Sequence, residues 1–328
     1  MNYKNLLLTA FALISASTSF AQSNLLNAKT PADIGKKLAA QLVSDNDKPL
    51  PYGFVDDRDV LMGKTVWETI DLDERINFPL YYPIDTSNIG KDRRSLFDVI
   101  IKGIKSGKIT EVYADGYFNT KRTLKDLGSS FVFRDTLDAG RDEINNNRDL
   151  YYPKAIPAKT VKNKKGKVIS TTPGYTPPAK ILDPQFIDER VLSSQDISNY
   201  KIKGYWYFDK RQGEMKYRLL GICPLAPEAK DVGKEESDPI ELFWIYYPNA
   251  REVLHASYAF NSKNSAMPIS FDNILNARRF NAVIYQEDNV YGDRLIKDYL
   301  KDDAQEELLE SERIKDKIRN FEQDMWNY

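Results

Sequence analysis

The runs Ile202-Lys-Gly-Tyr-Trp-Tyr-Phe-Asp209 and Glu214-Met-Lys-Tyr-Arg-Leu-Leu-Gly-Ile-Cys223 decide the fold class of this chain. A short segment that contains Arg211-Gln-Gly213 separates them, as expected for the turn of a hairpin. One face of the first run carries Ile202, Trp206 and Phe208, and the other carries Lys203, Tyr205, Tyr207 and Asp209. This alternation has the period of two that a half-buried strand requires. The sequence therefore predicts an antiparallel β-hairpin.

Helices and further strands are predicted on both sides of the hairpin. Ser95-Leu-Phe-Asp98 is a capping box, and the helix after it ends at Gly107. Its predicted buried face comprises Leu96, Phe97, Ile100, Ile101 and Ile104. Residues 240–247 form a nearly continuous apolar run, which is typical of a strand at the centre of a sheet. Together with a strand at residues 281–286, these patterns predict an α+β fold with a mixed or antiparallel sheet, flanking helices and a helical C-terminal tail.

The stretch Val55-Asp-Asp-Arg-Asp-Val-Leu61 predicts the start of a helix. Either Asp56 or Asp57 can cap a helix that runs through about Thr69, since acidic side chains are favourable at the positive end of the helix dipole. A calcium loop would need alternating ligands, a central glycine and a closing glutamate, and the stretch lacks them. We therefore expect a helix here and no metal site.

Residues 1–21 have the organisation of a cleavable signal peptide. Lys4 supplies a positive charge, residues 6–14 form a short apolar region, and Ser19-Phe-Ala21 fits a cleavage site. No cysteine comes directly after this site to carry a lipid, and no later apolar run reaches the roughly 20 residues of a transmembrane helix. We expect an exported protein that begins at Gln22 and that is soluble or is held at a membrane by a partner, without direct membrane insertion.

The charges of the chain are nearly balanced. It has 47 basic and 48 acidic residues, and loss of Lys4 with the signal peptide leaves 46 against 48. This balance argues against nucleic acid as a partner. Cys223 is the only cysteine, so an intrachain disulfide is excluded. We expect Cys223 to be buried core, the alternative being a free thiol for intermolecular pairing.

Three segments are predicted after the signal peptide. Residues 22–50 should form a helix and a linker, since Thr30-Pro-Ala-Asp33 is a capping box with apolar residues after it at helical spacing. Residues 51–300 form the predicted core. Within this core, residues 154–180 are rich in Pro and Lys and contain no acid; their middle predicts a hairpin. This basic segment is either a solvated loop or an arm that faces a partner.

The last predicted segment, residues 301–328, is a C-terminal helix. Its apolar residues near one face are Leu308, Ile314, Ile318, Phe321 and Met325.

The sequence contains no catalytic constellation. His255 is the only histidine, so a multi-histidine zinc site is impossible, and no H-E-x-x-H, G-x-S-x-G, P-loop or G-x-G-x-x-G motif occurs. We expect a structural His255, and we predict no catalytic, cofactor-binding or metal-binding residues. A carboxylate pair acting on glycans is the enzymatic alternative. The 20 Tyr and 4 Trp residues favour binding, since these residue types anchor protein interfaces.

Several ordered motifs resemble the gliding-motility protein family GldN, also called PorN. In the first half they are Val55-Asp-Asp-Arg-Asp-Val-Leu61, Trp67-Glu-Thr-Ile-Asp-Leu72, Glu74-Arg-Ile-Asn77 and Pro79-Leu-Tyr-Tyr-Pro83. In the second half they are Phe243-Trp-Ile-Tyr-Tyr-Pro248, Ala250-Arg-Glu-Val-Leu254 and Ser270-Phe-Asp-Asn-Ile274. The resemblance spans residues 49–300. No motif of the family is matched to residues 151–180 or to the final helix, so the resemblance implies no role for either region.

The resemblance implies a component of the type IX secretion system of Bacteroidota, which exports proteins across the outer membrane and supports gliding. It implies a periplasmic subunit that assembles in a ring with the lipoprotein GldK/PorK at the inner face of the outer membrane. It also implies contact with GldM/PorM, the component that forms the periplasmic part of the GldL–GldM motor. The resemblance implies no catalytic residue and no cofactor.

Overall fold

The computed structural model describes residues 48–85, 94–154, 159–162, 168–172, 178–234, 237–261, 269–300 and 303–326. The predicted signal peptide and the predicted helix near Thr30 lie outside these residues. The chain divides into two compact units. The larger unit comprises the described residues of Met1–Leu127, Ser193–Pro227 and Glu235–Tyr328, and the smaller unit comprises those of Gly128–Leu192 and Glu228–Lys234.

The described residues contain both strands and α-helices. The strands are β1 Val60–Asp71, β2 Val112–Tyr113, β3 Lys121–Arg122, β4 Val132–Thr136, β5 Lys159–Lys162, β6 Val168–Thr172, β7 Ile187–Val191, β8 Asn199–Asp209, β9 Glu214–Ala226, β10 Ile240–Glu241, β11 Ile245–Tyr246, β12 Tyr258–Ala259, β13 Ile269–Ser270 and β14 Val283–Glu287. The α-helices are α1 Phe78–Tyr81, α2 Leu96–Lys105, α3 Leu124–Phe131, α4 Asp138–Asn146, α5 Arg148–Tyr151, α6 Tyr247–His255, α7 Phe271–Asn276, α8 Ile296–Tyr299 and α9 Ala304–Trp326.

An antiparallel sheet forms the centre of the larger unit. Its order is β10-β9-β8-β1-β14, and β11 also pairs with β9. The long strands β1, β8 and β9 lie side by side: Val66 of β1 is opposite Gly204 of β8, which is opposite Leu219 of β9. The predicted hairpin is thus confirmed as β8 and β9, and the predicted α+β class is confirmed with its sheet antiparallel.

Both faces of this sheet are covered. Successive residues of a strand point to opposite faces, so Val66 and Trp67 enter different clusters. The buried members of the Val66 cluster are Val66, Ile284, Ile296, Ile314 and Ile318. The buried members of the Trp67 cluster are Trp67, Tyr113, Cys223, Leu225 and Trp244. Burial of each such side chain contributes roughly 1.5–3 kcal/mol, so these two clusters hold the sheet between two apolar layers.

Helix α9 completes one apolar layer. Ile314 and Ile318, which are 3% and 6% exposed, enter the Val66 cluster, and Phe321 packs edge-on against Phe208 of β8 with 6.0 Å between ring centroids. Leu308, predicted on the same face, is instead 50% exposed. The apolar face of α9 therefore begins later along the helix than the sequence pattern indicates.

Side chains of α9 also reach main-chain groups of two sheet strands. Ser311 Oγ accepts a hydrogen bond from the Ile284 N–H of β14 at 2.9 Å, and Glu322 Oε1 accepts one from the Met215 N–H of β9 at 3.1 Å. Lys315 Nζ donates to the Ala282 carbonyl, just before β14, at 2.8 Å. The helix thus supplies polar partners to strands on opposite sides of the β8–β1 pair.

The smaller unit contains two short antiparallel pairings. Strands β4 and β7 are antiparallel, with Val132 opposite Val191 and Thr136 opposite Ile187. Helices α4 and α5 come after β4 in the chain. Strands β5 and β6 also pair antiparallel, which confirms the hairpin predicted in the middle of residues 154–180.

The prediction of a helix from Asp56 or Asp57 to about Thr69 is wrong. Asp56 does cap a helical turn, since its carboxylate accepts from the Arg58 N–H, but the turn is a 3-10 helix that ends at Asp59. The chain then enters β1, which pairs with β8 on one side and β14 on the other. The local capping signal is correct, whereas hydrogen bonding to two neighbouring strands determines the structure of the residues after the cap.

The prediction of one central strand over residues 240–247 is also wrong. The region contains the two-residue strands β10 and β11, both on the outer side of β9, before α6 begins at Tyr247. Phe243 and Trp244 are nevertheless buried, so the apolar run reflects core packing without continuous pairing. The capping box at Ser95 is confirmed, because Ser95 Oγ accepts from the Asp98 N–H at the start of α2.

Candidate functional site

A cleft of about 570 Å³ opens in the larger unit. One wall is segment 50–55, which has no regular secondary structure and precedes β1. The other walls are the start of β9, including Lys216 and Arg218, and residues of α6 and α7. The volume lies in the range of ligand-binding pockets, and β9, α6 and α7 each contribute charged side chains to the lining.

A buried ion pair forms the base of the cleft. Arg251 of α6 donates to Asp272 of α7 through Nε, at 2.9 Å to Oδ1, and through Nη2, at 3.1 Å to Oδ2. Tyr247 Oη and Asn276 Nδ2 also donate to Asp272 Oδ1, at 2.7 and 2.8 Å. Burial, together with the Asp272 carboxylate, raises the pKa of the Tyr247 hydroxyl, so that it remains a donor. The network fixes α6 against α7 and holds Arg251 in place.

Tyr52 enters the cleft between two arginines. Its ring centroid lies 4.2 Å from the Arg251 guanidinium carbon and 4.7 Å from that of Arg218. Its hydroxyl donates to Asn276 Oδ1 at 2.9 Å. Burial raises the pKa of Tyr52 to about 12, so the hydroxyl keeps its proton. Cation–π contacts with the two arginines therefore hold segment 50–55 at the cleft.

Arg218 differs from the other cations of the cleft. Lys216 pairs with Asp209 at 3.3 Å, and Arg251 pairs with Asp272. Arg218 forms no ion pair with any residue of the described part of the chain; its Nη2 donates to the Gly53 carbonyl at 3.1 Å. Its Nε–H is buried and has no acceptor among the same residues. The guanidinium thus carries a charge that the described structure leaves uncompensated.

The cleft also contains His255, the histidine expected to be structural. His255 Nδ1 lies 3.7 Å from Asp272 Oδ2, and the side chain is 12% exposed. It belongs to the group of side chains around the Arg251–Asp272 pair. Its structural role stays a prediction.

Cys223 lies in the core, as predicted. It is fully buried in the Trp67 cluster. Burial raises the pKa of its thiol, with a smaller contribution from the Glu241 carboxylate, so the reactive thiolate form is disfavoured.

Substitution of His255 or Cys223, the only histidine and the only cysteine of the chain, should leave the biological activity unchanged. In the secretion role that the family resemblance implies, we expect His255→Gln and Cys223→Ala variants to function at wild-type levels, with stability losses of about 1–3 kcal/mol from lost packing. Export assays in cells, with denaturant unfolding of the purified chains, measure the two effects separately. A folded, stable His255→Gln protein that fails to support secretion would contradict the structural role.

Three carboxylates are buried in the described residues, and each is paired with a cation. Glu68 accepts from Arg278 at 2.7 Å on both oxygens, Asp209 accepts from Lys216, and Asp272 accepts from Arg251. Hydrolysis of glycans requires two carboxylates that can exchange protons or bond with a substrate. The three buried carboxylates are engaged in ion pairs. The described residues contain no group of three or more His, Cys, Asp or Glu that could hold a metal ion.

The sequence patterns do not identify Tyr52, Arg218, Arg251 or Asp272 as site residues. Arg251 and Asp272 lie inside motifs that carry the family resemblance, Ala250-Arg-Glu-Val-Leu254 and Ser270-Phe-Asp-Asn-Ile274. Their opposite charges within these two motifs are the signal that could have pointed to a pair. Nothing in the local sequence marks Tyr52 or Arg218, since the fold brings them together across 166 positions of the chain.

Comparison with known proteins is consistent with the motifs in the sequence. Among the described helices, none has the combined length and apolarity that a membrane span needs. No curated protein matches the chain. The model of the family described as gliding motility associated protein GldN matches residues 55–327, which include β1, the cleft residues of β9, α6 and α7, and α9 up to its end. This chain therefore belongs to the GldN family of gliding-motility and type IX secretion components.

Proposed function

We propose that this chain is a non-enzymatic periplasmic subunit of the type IX secretion machinery. In this role it is exported by a signal peptide at residues 1–21 and assembles in a ring at the inner face of the outer membrane. Its partners there are further copies of itself, a GldK/PorK-like lipoprotein and a GldM/PorM-like motor component. The family membership carries this proposal. Residues 22–50 supply the N-terminal helix and linker, residues 51–300 the core, and residues 301–328 the C-terminal helix.

Exposed aromatic side chains at α1 and directly after it support a role in protein contacts. Phe78 and Tyr82 are 37% and 45% exposed, and neighbouring Ile76 is 57% exposed. The Phe78 and Tyr82 rings pack edge-to-face, with 5.3 Å between centroids, so they form one surface. Clustered exposed aromatic residues are typical anchors of protein interfaces. The cluster lies within the residues that match the family.

The proposal predicts that the lipoprotein partner holds this chain at the outer membrane. Near-neutral charge gives little attraction to lipid, so the chain should leave the membrane fraction when the partner gene is deleted. Fractionation of cells with and without the partner gene, followed by immunoblotting, measures how much of the chain stays with the outer membrane. We expect the chain to move to the periplasmic fraction or to be degraded. Unchanged membrane association would contradict the ring-subunit role.

A further inference from the structure

We propose that the cleft around Arg218 binds a carboxylate-bearing peptide segment of a partner protein. The ligand's carboxylate would pair with Arg218, and its main chain would lie between segment 50–55 and β9.

The charges of the cleft call for an anion. Four cationic side chains line it, namely Arg211, Lys216, Arg218 and Arg251, against the two carboxylates Asp209 and Asp272. Lys216 and Arg251 are matched by these carboxylates, and Arg211 lies 3.5 Å from Asp59. Arg218 alone among these four has no carboxylate partner in the described residues. An incoming carboxylate would therefore complete the set of ion pairs without displacing one.

The geometry of Arg218 is suited to a carboxylate. Its guanidinium lies over the Tyr52 and Tyr207 rings, at 4.7 and 5.6 Å from their centroids, and Nη2 is tied to the Gly53 carbonyl. These contacts orient the planar group before any ligand arrives, which lowers the entropy lost on binding. Its Nη1 group has no acceptor among the described residues and can donate to a carboxylate, and such charge-assisted hydrogen bonds are strong.

The walls of the cleft are suited to an extended peptide. The outer side of β9 is paired with β10 and β11 only from Gly221 to Ala226, so Tyr217, which lines the cleft, has no strand partner on that side among the described residues. The Met215 N–H points outward to Glu322, and hydrogen-bonding direction alternates along an antiparallel strand, so the Tyr217 N–H points outward as well. Extended peptides bind to such strand edges through main-chain hydrogen bonds.

The chain's own segment 50–55 already contacts the arginines of the cleft. It places an aromatic ring within cation–π distance of two arginines, and it offers a carbonyl to Arg218. Leu50 and Phe54, on either side of Tyr52, are 81% and 83% exposed and leave apolar surface at the rim of the cleft. A peptide with a carboxylate and a neighbouring apolar side chain would contact both the cation and this rim.

Binding of capped peptides to the purified mature chain tests the proposal, and no partner subunit is needed. The probes are fluorescein-labelled tetraglutamate and tetraglutamine, followed by fluorescence anisotropy. We expect tetraglutamate to bind at least about tenfold more tightly, and Arg218→Gln to weaken it by about tenfold or more. Higher salt should also weaken tetraglutamate binding, because salt screens the attraction between charges. Arg75→Gln, which removes one exposed positive charge outside the cleft, is the matched control and should bind as wild type.

Three results would overturn the proposal. The first is equal binding of the two peptides, and the second is unchanged tetraglutamate binding by a folded Arg218→Gln variant. The third is displacement of the peptide by inorganic phosphate at lower concentration than by acetate, which would assign the site to phosphate groups. Should Arg218→Gln fail to fold, Tyr52→Leu removes the ring that orients Arg218 and must weaken tetraglutamate binding for the proposal to stand. Failure of these assays would leave the outer-membrane fractionation result unaffected, since that experiment does not involve the cleft.

Discussion

An Arg278→Met variant should lose about 3–5 kcal/mol of the free energy of unfolding, because the substitution leaves Glu68 charged and buried. Glu68 lies on the central strand β1 and is 1% exposed. Both of its oxygens accept from Arg278 at 2.7 Å, across 210 positions of the chain. Arg278 also lies 4.3 Å from the Tyr217 ring centroid and 5.2 Å from that of Trp206, so it joins β1, β8 and β9 to the end of α7.

The neighbouring residue provides a matched control. Arg279 is exposed, and Arg279→Met removes the same charge from the surface, where such changes usually stay within about 0.5 kcal/mol. A Glu68→Met/Arg278→Met double variant should recover much of the loss, since an apolar pair of similar volume leaves no unpaired charge. Urea unfolding of the wild type and the three variants measures these differences in the free energy of unfolding. An Arg278→Met loss no larger than that of Arg279→Met would show that the pair does not stabilise the sheet.

An Ile314→Ala variant is expected to lose about 2–5 kcal/mol, because Ile314 fills the apolar layer between α9 and β1. It is 3% exposed and packs in the cluster that includes Val66 and Ile284. Truncation to Ala leaves a cavity that this cluster can fill only by partial collapse. The loss would show that α9 is an integral part of the larger unit.

Leu309 on the same helix provides the control for this prediction. It is 68% exposed, so Leu309→Ala should change the unfolding free energy by no more than about 0.5 kcal/mol. Ala has the highest helix propensity, so neither change should weaken the helix itself. Equal losses for the two variants in chemical denaturation would mean that α9 does not contribute its buried face to the fold.

The predictions from sequence are correct where one local pattern determines the structure. The β8–β9 hairpin follows from strict alternation and a glycine-containing turn, and the start of α2 follows from the Ser95 cap. They are wrong where partners distant in the chain determine it. Asp56 caps a helical turn in either case, and only pairing with β8 and β14 makes Val60–Asp71 a strand.

The cleft could not be predicted for the same reason. Arg251 and Asp272 are 21 positions apart on different helices, and Tyr52 and Arg218 meet through tertiary packing alone. Their roles depend on which charges find partners in the fold, and composition does not contain that information. The sequence did indicate the family correctly, because the ordered motifs around β1, α6 and α7 lie within the residues that match its model.

The hydrogen bonds from α9 to β14 and β9 have a consequence for how copies of this chain can meet. Exposed strand edges are templates for edge-to-edge joining, which leads to aggregates when many copies are concentrated in one place. In the folded molecule, Ser311 and Glu322 accept hydrogen bonds from the outward N–H groups of Ile284 and Met215. Because both acceptors belong to α9, those groups are open to neighbours whenever α9 is not docked. Protection of these two strand edges against unwanted polymerisation therefore depends on the docking of α9.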